Sequence, residues 1–202
     1  MDNNAINNAF LKLQDLYFKK SSEEEINQFL SSKNISIDWL VQRFETLEIK
    51  DEYRLENILK IIDILITYRS YKLNLYSSII DKQDIIINSK IPQIPRFLLN
   101  FLLNNSEFFV KENVFVNKAL TVFLFDDNAG IYEQARNVML FILNSGKFDE
   151  KFIDTDSIFQ NFDKKKNESI LLVRGIEIVI MMMSSNERFI NNYTNSIFRC
   201  LL

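Results

Sequence analysis

The sequence predicts an all-α protein, a right-handed α-solenoid of about four to five helical pairs, with residues 1–202 forming one repeat domain. Three observations carry this expectation. The chain has only three Gly and two Pro in 202 residues, too few of the residues that make the many turns of a strand-rich fold. Apolar residues recur at steps of three and four along almost the whole chain, the spacing that lines one face of a helix. Finally, the strongest helical patterns begin near residues 52, 92, 128 and 169, a spacing of roughly 40 residues with a further amphipathic segment between each pair. A bundle without repeats has no reason to keep a constant period.

In order, Ile6, Phe10, Leu13 and Tyr17 mark the apolar face of a first helix. Ser22 and Glu25 form a capping box ahead of Ile26, Phe29 and Leu30. Asp38 is placed to cap a helix carrying Leu40, Val41, Phe44 and Leu47. Asp51 is placed to cap the next, whose broad apolar face holds Leu55, Ile58, Leu59, Ile62, Leu65 and Ile66. Pro92 and Pro95 mark a helix start, since proline fits the first turn but not the middle; Phe97, Leu98, Phe101 and Leu102 follow. Asp126-Asp127-Asn128 opens a helix with Ile131, Ala135, Val138, Met139 and Ile142, which Ser145-Gly146 closes. Asn167 or Ser169 opens the most apolar one, read with Val173, Ile176, Val179, Ile180 and Met183 as its face. Amphipathic segments at about 71–87, 112–125, 150–162 and 188–202 complete the alternation.

Composition removes several classes of chemistry. No histidine is present, which eliminates Ser-His and Cys-His nucleophile pairs, His-ligated metals and His proton shuttles. One cysteine, Cys200, makes neither an internal disulfide nor a Cys-based zinc site. A net charge of −3 gives no footprint for nucleic acid, and Lys164-Lys165-Lys166 reads as a solvated loop. The glycines at 130, 146 and 175 stand apart, so no phosphate-cradling loop exists. Asp81 and Asp84 lack the central Gly of a calcium loop. Glu23-Glu24-Glu25 and Asp126-Asp127 sit at helix starts, where the helix dipole favours negative charge, and do not read as an acid–base pair. No catalytic residue, cofactor or metal is expected. The N-terminus shows no basic segment followed by an apolar one, and the expected location is cytoplasmic or nuclear.

The stretch from Ile170 to Met183 is apolar except for Arg174, Gly175 and Glu177. About 14 residues fall short of the roughly 20 that a membrane span needs. Arg174 and Glu177 are spaced to pair along one helix. Met181-Met182-Met183 cannot converge on one soft metal ion, because consecutive helical residues point about 100° apart. The expected role is a core helix sandwiched between neighbours.

Two parts of the chain carry a resemblance. Phe125-Asp126-Asp127 through Leu143-Asn144-Ser145, an acidic turn followed by an apolar residue, Ala135 and aliphatics, resembles a HEAT/armadillo repeat. Val173-Arg174 looks like the Val-Arg pair of many HEAT second helices, whereas the preceding repeat departs with Ile131-Tyr132. More narrowly, the repeat order over about 90–202, the segment LLVRGIEIV (Leu171 to Val179) and Ser184-Ser185-Asn186-Glu187 resemble the proteasome non-ATPase subunit 5 type of base-assembly chaperone. That resemblance implies a non-enzymatic scaffold that holds proteasomal ATPase subunits and sterically prevents premature docking. The alternatives are an adaptor of trafficking or phosphatase regulatory type, a membrane-associated adaptor, or an enzyme with a carboxylate-based site. The expected protein contacts are Tyr68, Arg69, Arg96, Tyr132, Arg136, Arg174 and Glu177. Neither nucleic acid nor membrane is expected as a partner. The apolar end, Ser196 to Leu202, implies that the array continues, or that a partner or second copy covers it by self-association.

Overall fold

The computed structural model describes residues 3–106, 113–148, 152–165 and 169–184. Among them the regular structure is helical: α1 (Asn3–Phe18), α2 (Glu23–Ser32), α3 (Ile37–Thr46), a 3₁₀ turn (Ile49–Asp51), α4 (Glu52–Leu65), α5 (Arg69–Asp81), α6 (Gln83–Ile87), α7 (Gln93–Asn104), α8 (Asn113–Phe123), α9 (Ala129–Asn144), α10 (Thr155–Lys165) and α11 (Ser169–Met183). The all-α expectation holds. The starts expected near 52, 92, 128 and 169 fall at Glu52, Gln93, Ala129 and Ser169.

Local chemistry explains most of the boundaries. Ser22 and Glu25 form the full capping box that opens α2. Asn128 caps α9, its Oδ1 accepting the N–H groups of Gly130 (3.0 Å) and Ile131 (3.2 Å). Gly146 follows the last turn of α9 at φ +64°, a left-handed conformation that glycine adopts without strain. Two expected caps differ. Ser36 rather than Asp38 caps α3, its hydroxyl accepting the Trp39 N–H at 3.0 Å, and Asp38 lies inside the first turn. Asp51 precedes α4 without capping it, because its carboxylate accepts the Glu48 N–H at 3.1 Å instead. The segment expected at 71–87 is broken at Lys82 into α5 and α6. The segment expected at 188–202 lies outside the described residues.

The chain forms two compact units, residues 1–94 and 95–202. In the first, α1 packs on α4, and α3 packs on α5, α4 and α6. Ile6, Leu13, Ile26, Leu40, Leu55, Ile58 and Ile62 are almost completely buried there. In the second, α8 packs on α9 and α10, and α11 packs on α10 and α9. All five residues expected to face inward from α9 (Ile131, Ala135, Val138, Met139 and Ile142) are buried. Phe123 and Phe125 belong to the same core, with Phe125 stacked on Phe162.

Hydrogen bonds between elements recur at nearly constant sequence separation. In the first unit Tyr71 donates to Asn27 (44 residues apart), Ser78 to Asp38 (40) and Gln93 to Glu52 (41). In the second, Asn161 donates to the Thr121 carbonyl (40), Tyr132 to Glu177 (45) and Arg174 to the Asp127 carbonyl (47). Asn117 does most in this respect. Its buried amide donates to the carbonyls of Asn113 (2.8 Å) and Phe152 (2.6 Å) and accepts from the Asp154 N–H (2.7 Å). One side chain on α8 thus fixes the backbone that leads into α10.

The phase of α11 is the main correction. The face expected to be inside was Val173, Ile176, Val179, Ile180 and Met183. Of these only Val179 is buried; the other four are between 44% and 57% exposed, and Leu171, Arg174, Gly175, Ile178, Met181 and Met182 are inside. Hydropathy that is high on every side carries no phase information. A close approach supplies it instead. A Cβ added at Gly175 would lie 2.2 Å from the Phe162 ring, so α11 rests on α10 at the one position without a side chain.

The role given to Asn117 has a direct check. Asn117→Ala leaves two carbonyls and one N–H without their buried partner, and the expected cost is about 2–3 kcal/mol in urea unfolding. Asn117→Asp keeps the acceptor for the Asp154 N–H but turns a carboxylate on two carbonyls, so it should be the worse of the two at neutral pH. Wild-type stability in both variants would remove Asn117 from this role.

Candidate functional site

Five of the seven expected contact residues lie in the second unit, and four meet at the seam between α9 and α11. Tyr132 is in the first turn of α9, and Arg136 is one turn further on. Arg174 and Glu177 are three residues apart on α11, so they share the side that faces α9. Arg96, in the first turn of α7, lies against the start of α9, where a Cβ added at Gly130 would sit 3.6 Å from its guanidinium carbon. Tyr68 and Arg69 belong to the first unit, where Tyr68 meets Tyr71 edge to face and Arg69 is exposed at the start of α5.

The seam is built around Tyr132. The Arg174 guanidinium carbon lies 4.6 Å from the centre of its ring, a cation–π arrangement in a water-poor place, since Arg174 is only 4% exposed. Nη2 of Arg174 donates to the Asp127 carbonyl at 3.4 Å, which ties α11 to the turn before α9. Nη1 has no hydrogen-bond acceptor among the described residues. The Tyr132 hydroxyl donates to the Glu177 carboxylate. The expected Arg174–Glu177 ion pair is therefore replaced, and no contact between their charged groups falls within salt-bridge distance. Both groups engage the tyrosine between them. Burial, and then the bond to Glu177, hold the Tyr132 phenol above its ordinary pKa, while Arg136 and Arg174 pull weakly the other way.

Next to this cluster runs a groove of about 330 Å³ lined by Arg136, Leu140, Asn144, Glu177, Ile180, Met181 and Ser184. Leu140, Ile180 and Met181 give it an apolar part, Asn144 and Ser184 a polar one, and it holds one cation from α9 and one anion from α11. Arg136 and Glu177 are exposed, and Tyr132 is half-buried. Arg174, expected at a contact surface, instead holds the seam from inside. Sequence reasoning did not find Asn117 or Asn161, which point at backbone groups 35 to 40 residues away, and no local pattern marks such residues. Among the described residues no three acidic or Cys side chains are placed to hold a metal ion. No helix among them is long and apolar enough to cross a membrane.

Comparison with protein-family models, with curated proteins and with solved structures finds no match to this chain.

The raised phenol makes a prediction with a definite sign. The folded value lies above the value of about 10 for an unfolded tyrosine. The stability tied to the protonated phenol is therefore complete below pH 10 and is lost as pH rises through the folded value. Tyr71 in the first unit, pushed up to about 12 by burial and then by Glu23, behaves the same way. Urea titrations between pH 8 and 12 should show wild-type stability falling above pH 10. Tyr132→Phe should flatten part of that fall and Tyr71→Phe another part. Identical slopes in all three proteins would contradict the assignment.

Proposed function

We propose that this chain is a non-enzymatic protein-binding scaffold, a helical-repeat solenoid of HEAT/armadillo type that offers the α9–α11 seam to a protein partner. The observation that carries this reading is the recurrence of inter-element hydrogen bonds 35 to 47 residues apart, within each compact unit. Bonds at this separation are what a repeat array with nearest-neighbour contacts would make, and they support the solenoid reading. The surface of such an array serves recognition, because its stability does not depend on any one exposed side chain.

At the seam, Arg136 from α9 and Glu177 from α11 line one groove together with Leu140, Ile180 and Met181. Apolar walls exclude water, and two opposite charges fix the register and orientation of what lies between them. Tyr132 and Arg174 act beneath the rim, the first holding Glu177 and the second holding Tyr132. Arg96 adds a cation beside the start of α9. Tyr68 and Arg69 are proposed as contacts belonging to the first unit. The resemblance noted in the sequence makes the C-terminal part of a proteasomal ATPase the first ligand to test, with steric protection as the mechanism.

Affinity capture from cell lysate, read by mass spectrometry, compares the wild type with Arg136→Glu and with Glu177→Lys. Arg136 is exposed, so its reversal should leave the thermal midpoint unchanged and lower recovery of the specific partner at least tenfold, about 1.4 kcal/mol. Recovery of proteasomal ATPases by the wild type and their loss in Arg136→Glu would support the chaperone reading. An unchanged partner set in both variants would contradict the seam as the binding surface.

A further inference from the structure

The first unit holds a groove whose chemistry differs from that between α9 and α11. It has a volume of about 460 Å³ and is bounded by the second half of α2, the start of α3 and one side of α5. To this groove α5 presents Tyr71, Asn74, Ser78 and Asp81, spaced three and four apart along one side of the helix. A helix side turned toward its neighbours is ordinarily apolar. Here it is polar, and part of it is buried, since Tyr71 and Ser78 are each only 6% exposed. Two hydrogen bonds fix the walls. The Tyr71 hydroxyl donates to the Asn27 side chain on α2, and the Ser78 hydroxyl donates to the Asp38 carboxylate on α3.

Electrostatics give the groove a sign. Asp38 and Asp81 line it, and among the described residues no Lys or Arg does. Asp81 is the last residue of α5, where the helix carbonyls concentrate partial negative charge and a cation is the favoured neighbour. Neither α5 nor α2, whose Ser31 belongs to the same wall, has a basic residue in its last turn. Lys82 follows Asp81 directly, yet among the described residues no ion pair forms to either aspartate. The Asp81 carboxylate also has no hydrogen-bond partner among them. A carboxylate at the negative end of a helix, unpaired and opening onto a polar groove, is a mismatch that a bound cation relieves. No three acidic groups converge among the described residues, so a bare metal ion lacks its ligands. Leu30, Ile35 and Ile37 complete the walls and suit an alkyl stem. A guanidinium on such a stem meets both requirements, because its planar fork of N–H donors serves carboxylate, amide and hydroxyl acceptors together.

We propose that the groove between α2, α3 and α5 receives the side chain of an arginine from a partner polypeptide, with Asp81, Asn74 and Ser77 taking the guanidinium and Ile35 and Ile37 the stem. The site is separate from the α9–α11 seam and stands or falls without it. Titration of the full-length, nitrogen-15-labelled chain with N-acetyl-arginine amide, followed by NMR, should give saturable shifts at the amides of residues 27–38 and 71–81. N-acetyl-citrulline amide has nearly the same shape without the charge, and it should bind at least about fivefold more weakly. Ethylguanidinium represents a free small cation as the source of the group and should also bind more weakly; equal binding would overturn the assignment to a polypeptide. Asp81→Asn should weaken arginine binding at least about fivefold. Its thermal midpoint should be no lower than that of the wild type, because the change removes an anion from a helix C-terminus. Shifts of equal size at Asp126-Asp127, citrulline binding equal to arginine binding, or unchanged affinity in Asp81→Asn would each refute the site.

Discussion

The close approach of Gly175 to the Phe162 ring sets the register of the second unit. A helix that is apolar almost all round has no preferred rotation by hydropathy, and it turns until the side without a Cβ meets the phenylalanine. Everything reported at the seam follows from that rotation. Arg174 is carried over the Tyr132 ring, Glu177 comes within reach of the Tyr132 hydroxyl, and Val173, Ile176 and Ile180 are left outside. Phe162 is itself held by stacking on Phe125, which comes just before the Asp126-Asp127-Asn128 turn that starts α9. A packing contact on α10 thereby determines which charges stand at the rim of the α9–α11 groove.

The burial of Arg174 illustrates how such a seam trades stability for specificity. A guanidinium at 4% exposure has lost most of its water, and one aromatic face, one long hydrogen bond to a carbonyl and no acceptor at Nη1 return only part of that solvation. An aliphatic residue there would pack at lower cost. What the arginine supplies is a fixed relation between α11, the α9 ring and the turn before α9. The Tyr132–Glu177 bond adds a second such relation, so the two helices cannot slide without breaking a polar contact at each end. The asparagines do similar work between α8 and α10, where Asn117 bonds a backbone group 35 residues away and Asn161 one 40 residues away.

Most of the element order is legible in the sequence, because helix starts are written locally. Ser22 with Glu25, Asn128 and Gly146 each act within four residues of their own position, and each functions as its residue type implies. The misassigned caps, Asp38 and Asp51, were local failures too: a serine two residues upstream of one, and a competing N–H at Glu48 for the other. Phase on α9 was readable because polar Glu133, Arg136 and Asn137 interrupt its apolar face. On α11 the interruptions, Arg174, Gly175 and Glu177, lie on the sides that meet α9 and α10, and the deciding contact, Phe162 against Gly175, spans two helices. The seam was half legible. Tyr132, Arg136, Arg174 and Glu177 were all singled out, but as surface contacts, and nothing within either helix indicated that the tyrosine would stand between Arg174 and Glu177.

The central claim is that the Gly175–Phe162 contact sets the rotation of α11, and a double-mutant cycle tests it most directly. Urea unfolding of Gly175→Ala should show a loss of about 1–3 kcal/mol from overpacking against the ring. Phe162→Leu removes the ring edge that the new methyl would meet, so the double variant should recover at least about 1 kcal/mol of the sum of the single losses. Strict additivity of the two substitutions, or a stability in Gly175→Ala equal to the wild type, would show that α11 takes its rotation from something else.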